Sequence, residues 1–145
     1  MQVTTIDWPG SARFVLGLGC ERGTPAAEVI ALAENALARA GARREDITYI
    51  ASLDTRRSEP AIQAAARHFD VPSRFFAATV LEAETPRLRH PSDRVFALTG
   101  CHGVAEASAL ACAGAAAELV VPKMKSAHAT AAVVRTQMVD CEMNA

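Results

Sequence analysis

The segment Gly17-Leu-Gly-Cys-Glu-Arg-Gly-Thr24 sets glycines, a thiol and a guanidinium directly ahead of a helix start. Gly17 and Gly19 would let backbone approach a ligand, and the free N–H groups of the following helix favour an anion there. Arg22 adds a planar, two-toothed grip on a carboxylate or phosphate. A tight turn in which Gly17, Gly19 and Gly23 serve geometry alone explains the same residues, so both readings stand. The glycine spacing is not a dinucleotide fingerprint, and no GK[ST] follows to make a P-loop. Cys20, near Arg22 and the helix end, is in surroundings that lower a thiol pKa and activate a nucleophile. A buried structural thiol is the plainer alternative, because no His–Asp pair presents itself.

Two more stretches carry chemistry. Ser52-Leu-Asp54 and Glu59 put a hydroxyl and two carboxylates at a strand end, with Arg56 and Arg57 between them. Asp54 or Glu59 could act as a base, or both could cap and order the loop. Pro122-Lys-Met-Lys-Ser-Ala-His-Ala-Thr130 lies in a window with three cations, Lys123, Lys125 and Arg135, against one acid, Glu118. The two lysines are expected in a turn beside the first loop. They are either solvated there or form a cationic wall for a polyanion. Cys101-His102 with Cys20 or His128 is weak metal-ligand spacing, so no metal and no cofactor are expected.

These residues need elements to hold them. Arg13–Gly19 reads as a buried strand, and Thr24-Pro25 as the Ncap and N1 pair of a helix over Pro25–Ala40 that Gly41 stops. Ile47–Leu53 is a second strand, and Ser58 caps a helix from Glu59 to Phe69. Arg74–Ala77 is a third strand, and Thr79 caps a single turn through Glu84. Residues 85–94 lack any period and read as an exposed, mobile loop. Val95–Leu98 fits a fourth strand or a buried extended loop. Val104–Ala117 reads as a helix, Leu119–Pro122 as a strand, Lys123–Ala127 as a turn and Thr130–Arg135 as an antiparallel strand. Residues 1–12 are expected to be an extension and 136–145 a fraying tail. Alternating strands and helices predict an α/β fold, a three-layer α/β/α sandwich around a mixed, mainly parallel sheet. Ligands bind such sheets at the carboxyl ends of the strands, which gathers loops 17–24, 54–59, 99–104 and 122–129.

Composition bounds the rest. The chain has 145 residues and a net charge of −1; alanine supplies 31 residues, and aromatic residues only 5%. That predicts one domain with slim helices packed close to a sheet. The charge balance argues against nucleic acid as a partner. No apolar run approaches a membrane span, and the N-terminus lacks the cations of a secretory signal. A cytoplasmic protein with its four cysteines reduced is expected.

Taken together, Gly17-x-Gly-Cys-x-Arg-Gly-Thr24, Ser52-x-Asp54 with Glu59-Pro60, Thr99-Gly100 with Val104-Ala-Glu106, and Val121-Pro-Lys-x-Lys-Ser126 with Ala129-Thr130 resemble the CobE/CbiG C-terminal domain family of cobalamin biosynthesis. The resemblance covers about residues 13–135. It implies an α/β/α domain of corrin-ring assembly. It adds Thr99, Gly100 and Ser126 to the expected ligand contacts. In the anaerobic pathway such a domain ends a larger hydrolase that opens a cobalt-precorrin lactone. The short lead before the first strand looks like the stand-alone form of the aerobic pathway. The expected ligand is a precorrin, whose acetate and propionate carboxylates suit a cationic, glycine-lined rim. Hydrolysis of a precorrin lactone or side chain is the alternative, and contact with a precorrin methyltransferase a third.

Overall fold

The computed structural model describes residues 12–137. Strand β1 (Ala12–Cys20) occupies the middle of a five-stranded sheet. It is followed by β2 (Ile47–Leu53), β3 (Ser73–Phe76), β4 (Glu118–Lys125) and β5 (Ala129–Gln137), in the spatial order β3-β2-β1-β5-β4. β1, β2 and β3 pair in parallel, and β5 runs antiparallel between β1 and β4. Four strands therefore share one direction and β5 opposes them, as the α/β reading predicts.

Period-2 alternation sorts β1 onto two faces. Leu16 and Leu18 face the layer made by helices α1 (Ala26–Ala40) and α2 (Pro60–Phe69), and Val15 faces α5 (Ala105–Ala113). In α1, buried Val29, Leu32, Ala33, Ala36 and Leu37 recur at helical spacing against the sheet. Gly41 ends that helix in the left-handed region (φ 70°), and the Ala42 N–H closes on the Leu37 carbonyl. On the other face Gly17 pairs with Ala51 and Ala132, so small residues make a flat floor under α5. Ala109 and Leu110 of α5 pack there with Val15, Ala51 and Val134. The alanine excess is used as composition predicted, for close helix–sheet approach. Among the described residues no helix is long and apolar enough to cross a membrane.

Several local expectations are corrected. Val95–Leu98 is neither strand nor extended loop but lies in α4 (Asp93–Thr99), because the Ser92 hydroxyl accepts the Val95 N–H and starts a helix. The expected helix over 104–117 stops at Ala113, where Gly114 turns at φ 101°. Residues 85–94 are not a loose loop. Thr85–Arg87 form a 3-10 turn, and the Arg87 guanidinium donates to Glu84 and to the carbonyls of Leu110 and Gly114. Thr24 and Ser58 do not cap: Pro25 and Glu59 hold the N-cap positions, while Ala77 rather than Thr79 precedes α3 (Ala78–Glu82). Lys123 and Lys125 belong to β4, which continues past Pro122 with register shifts on either side of Val121. The turn is shorter, closed by the Ser126 N–H on the Ala129 carbonyl. β5 takes in Thr136 and Gln137 of the expected tail, and the rest of that tail and residues 1–11 of the extension lie outside the described residues.

Candidate functional site

The carboxyl ends of β1, β2 and β4 bring together the loops 21–25, 54–59 and 126–128, and the two faces of the sheet divide their residues. On the α1/α2 face the polar groups are already matched to one another. Buried Ser52 donates from Oγ to the Leu18 carbonyl (2.6 Å), and the Glu59 carboxylate, 7% exposed, accepts the Gly23 N–H (3.0 Å). Arg56 Nε donates to the Cys20 carbonyl at 2.7 Å, and the Thr24 hydroxyl donates to the Glu21 carbonyl at 2.7 Å. Glu28 accepts the Ser126 hydroxyl and the His128 N–H, while His128 Nδ1 lies 3.1 Å from Glu21 Oε1. Ser126 is thereby tied to α1. These bonds lock three loops into one assembly. Glu59 is thus an acceptor that orders the first loop, and Ser52 ties β2 to β1.

Cys20 takes the plainer of its two sequence readings, a partly buried structural thiol. Its thiol is half-buried and packs against the α1/α2 core, and burial, followed by the nearby Glu59 carboxylate, pushes its pKa up to about 11. The effect of Arg56 is opposite and smaller. Of the two readings open for this thiol, the structure favours the buried one over the activated thiolate, because desolvation outweighs the guanidinium. Asp54 is half-buried at the start of a 3-10 turn, and its carboxylate has no side-chain partner among the described residues.

Gly17 and Gly19 are not open to a ligand. A Cβ on Gly17 would lie 1.9 Å from the Ala105 carbonyl oxygen, and one on Gly19 would lie 2.7 Å from Thr130 Oγ1 and 3.2 Å from Val104 Cγ1. The room a side chain would take is filled by the first turn of α5 and by β5. The expected cradle is a helix–sheet contact, which overturns the glycine-lined part of the reading. Gly23 differs: it takes φ 80° with nothing near, a turn that favours glycine. Arg22 beside it is exposed, and no hydrogen bond or ion pair reaches its guanidinium among the described residues. Thr99 and Gly100 close α4. Thr99 Oγ1 donates to the Val95 carbonyl (2.7 Å) and accepts the Cys101 N–H, and Gly100 takes φ 87°.

The cations lie on the α5 face. Lys123 and Lys125, two apart on β4, project to the same side, and Lys125 stands in register with Thr130. Lys123 Nζ donates to the His90 carbonyl (3.3 Å), and neither ammonium has a carboxylate within ion-pair distance among the described residues. Burial and then the neighbouring Lys125 pull the Lys123 pKa below its ordinary value, while Glu106 acts the other way. Glu106, 2% exposed, gives both its oxygens to backbone: Oε1 accepts the N–H groups of Arg89 (3.0 Å) and His90 (3.1 Å), and Oε2 that of Lys123 (2.8 Å). Charge spacing in the sequence did not reveal this role, because all three partners are main-chain groups 16 and 17 residues away. His102 is paired elsewhere, with Nδ1 2.9 Å from Glu82 and its ring stacked on Phe96. Cys20, Cys101 and Cys112 are free thiols, and no metal-binding cluster occurs among the described residues.

Residues 14–134 match the family described as Cobalamin synthesis G C-terminus. A relative from Sinorhizobium sp, Protein CobE, is 63% identical over 122 residues, covering 84% of this chain and 79% of that one. The Cobalt-precorrin-5A hydrolase of Priestia megaterium is 30% identical over 121 residues, 83% of this chain but only 31% of that longer protein. The crystal structure of CobE, a protein from the cobalamin (vitamin B12) biosynthetic pathway, superposes with a TM-score of 0.80 at 36% identity, covering 86% of this chain and 90% of that one. The chain therefore belongs to the cobalamin synthesis G C-terminus family and is a protein of cobalamin biosynthesis.

Proposed function

We propose that the protein binds a precorrin, a tetrapyrrole rich in carboxylates, at the C-terminal edge of its sheet. The observation that carries this reading is the pair Lys123 and Lys125: two ammonium groups on one face, with no side-chain carboxylate within ion-pair distance among the described residues. Exposed Arg22 on the loop after β1 supplies a third cation at the same edge. Such groups grip carboxylates by charge-assisted hydrogen bonds. With 5% aromatic residues the chain has little for ring stacking, so recognition runs through the periphery of the macrocycle. Ser126 is committed to Glu28, and Gly17 and Gly19 to α5, so the rim is narrower than the motifs suggested.

Binding is favoured over hydrolysis by the state of the would-be catalysts. Cys20 is held as a thiol and Glu59 is spent on Gly23, which leaves Asp54 as a carboxylate at a strand end without a side-chain partner among the described residues. Calorimetric titration of each precorrin intermediate against wild type and a Lys123→Ala/Lys125→Ala variant tests the reading. A fall in affinity of about ten- to hundredfold is expected from the loss of two such contacts. Equal affinity, or none for either protein, overturns it. Single turnover of a precorrin lactone by wild type, lost in Asp54→Asn, would replace binding with hydrolysis.

A further inference from the structure

A carboxylate removed from water is costly unless hydrogen bonds replace the water, and Glu106 is 2% exposed with no cationic side chain within ion-pair distance among the described residues. Its three donors come from two separate pieces of chain. Arg89 and His90 belong to the segment between α3 and α4, and Lys123 belongs to β4. A fourth hydrogen bond joins the two pieces directly, from Lys123 Nζ to the His90 carbonyl. A residue that only capped α5 would take the N–H groups of its own first turn; Glu106 reaches past them to tie two neighbours together.

We propose that Glu106 is the positioning residue of the cationic rim, clamping β4 at Lys123 and the Arg89–His90 segment into one wall against which a ligand carboxylate docks. This rests on the rim proposed above and names the group that gives it its shape. Lys123 is half-buried and two residues from Lys125, both of which disfavour its charge. The titratable groups acting on it are Lys125 from its own strand and Glu106 from α5, and only Glu106 favours the ammonium. The buried carboxylate thus holds the Lys123 main chain and offsets part of what its surroundings cost the ammonium. Exposed His90, carried on the clamped segment, is placed at the same wall.

Glu106→Gln tests the clamp, since the amide turns one acceptor into a donor facing an N–H. The probe is uroporphyrin, a tetrapyrrole with acetate and propionate carboxylates, titrated against wild type, Glu106→Gln, Lys123→Ala and the double variant. Affinity should fall about tenfold in Glu106→Gln and fall no further when Lys123 is already Ala. Additive losses, or no loss, overturn the proposal. If wild type does not bind the probe, the rim reading fails by itself. The clamp is then judged by NMR titration of the lysine side chains, where Lys123 should titrate lower in Glu106→Gln; an unchanged Lys123 overturns it. Should the Gln variant not fold, amide hydrogen exchange of the wild type decides. Arg89, His90 and Lys123 should exchange slowly and together, and rapid exchange at Arg89 and His90 overturns the clamp.

Discussion

Gly17→Ala isolates the claim that the first glycines serve packing. The new methyl would lie 1.9 Å from the Ala105 carbonyl oxygen and 3.0 Å from Ala109 Cβ. Ordinary contact begins near 3.4 Å, so α5 must lift from the sheet by about 1.5 Å, or β1 must sink between its partners. β1 has little freedom, because it is hydrogen-bonded to β2 on one side and β5 on the other. Lifting α5 would loosen Ala109 and Leu110 against Val15, Ala51 and Val134. Overpacking of a tight core costs roughly 1–3 kcal/mol, and a clash with main chain belongs at the top of that range. About 3 kcal/mol corresponds to a fall in Tm of roughly 6–12 °C for a domain of this size. Urea unfolding followed by circular dichroism measures it, with Gly23→Ala as the control: no neighbour stands in its way, and the left-handed backbone costs an Ala only about 1–2 kcal/mol. A Gly17→Ala protein as stable as wild type, but unable to bind tetrapyrrole, would refute the packing argument and restore the glycine cradle.

Further outcomes follow from the α1/α2 face. The Glu28 pKa is lowered chiefly by the Ser126 hydroxyl and then by the His128 N–H. Its contribution to stability is therefore present above the ordinary value of 4.5 and lost as pH falls through the lower folded value. In Glu28→Gln that acid-side loss should be smaller; unfolding curves of the two proteins with identical slopes below pH 4.5 would count against it. Cys20, raised to about 11, should be alkylated slowly at neutral pH and faster as pH climbs toward that value, read by peptide mass mapping; a midpoint at or below the ordinary thiol value would contradict the burial argument.

Much of the framework was legible because it is local. The apolar spacing of α1 and its stop at Gly41 are written in consecutive residues, and the two lysines of β4 are visible as a charge excess. What was missed at the glycines and at Glu106 was set by groups distant along the chain, and at Val95–Leu98 by a local cap that composition hides. Val95-Phe-Ala-Leu98 has the composition of a strand, yet one hydroxyl at Ser92 turns it into α4. Gly17 and Gly19 resemble a ligand loop until α5, almost ninety residues later, is seen lying over them. The thiol of Cys20 has an arginine for a neighbour in sequence, but its pKa follows the desolvation that folding imposes. Glu106 could be quoted as part of a motif without any sign that it holds Lys123 in place.

The reading stands on whether Lys123 and Lys125 meet the ligand. Amide and lysine side-chain signals followed during titration with a precorrin map the contact directly. The account predicts shifts centred on Lys123, Lys125, Thr130 and the Arg89–His90 segment, abolished in Lys123→Ala/Lys125→Ala. Saturating binding with its shifts on the α1/α2 face, and those lysines unmoved, would contradict it.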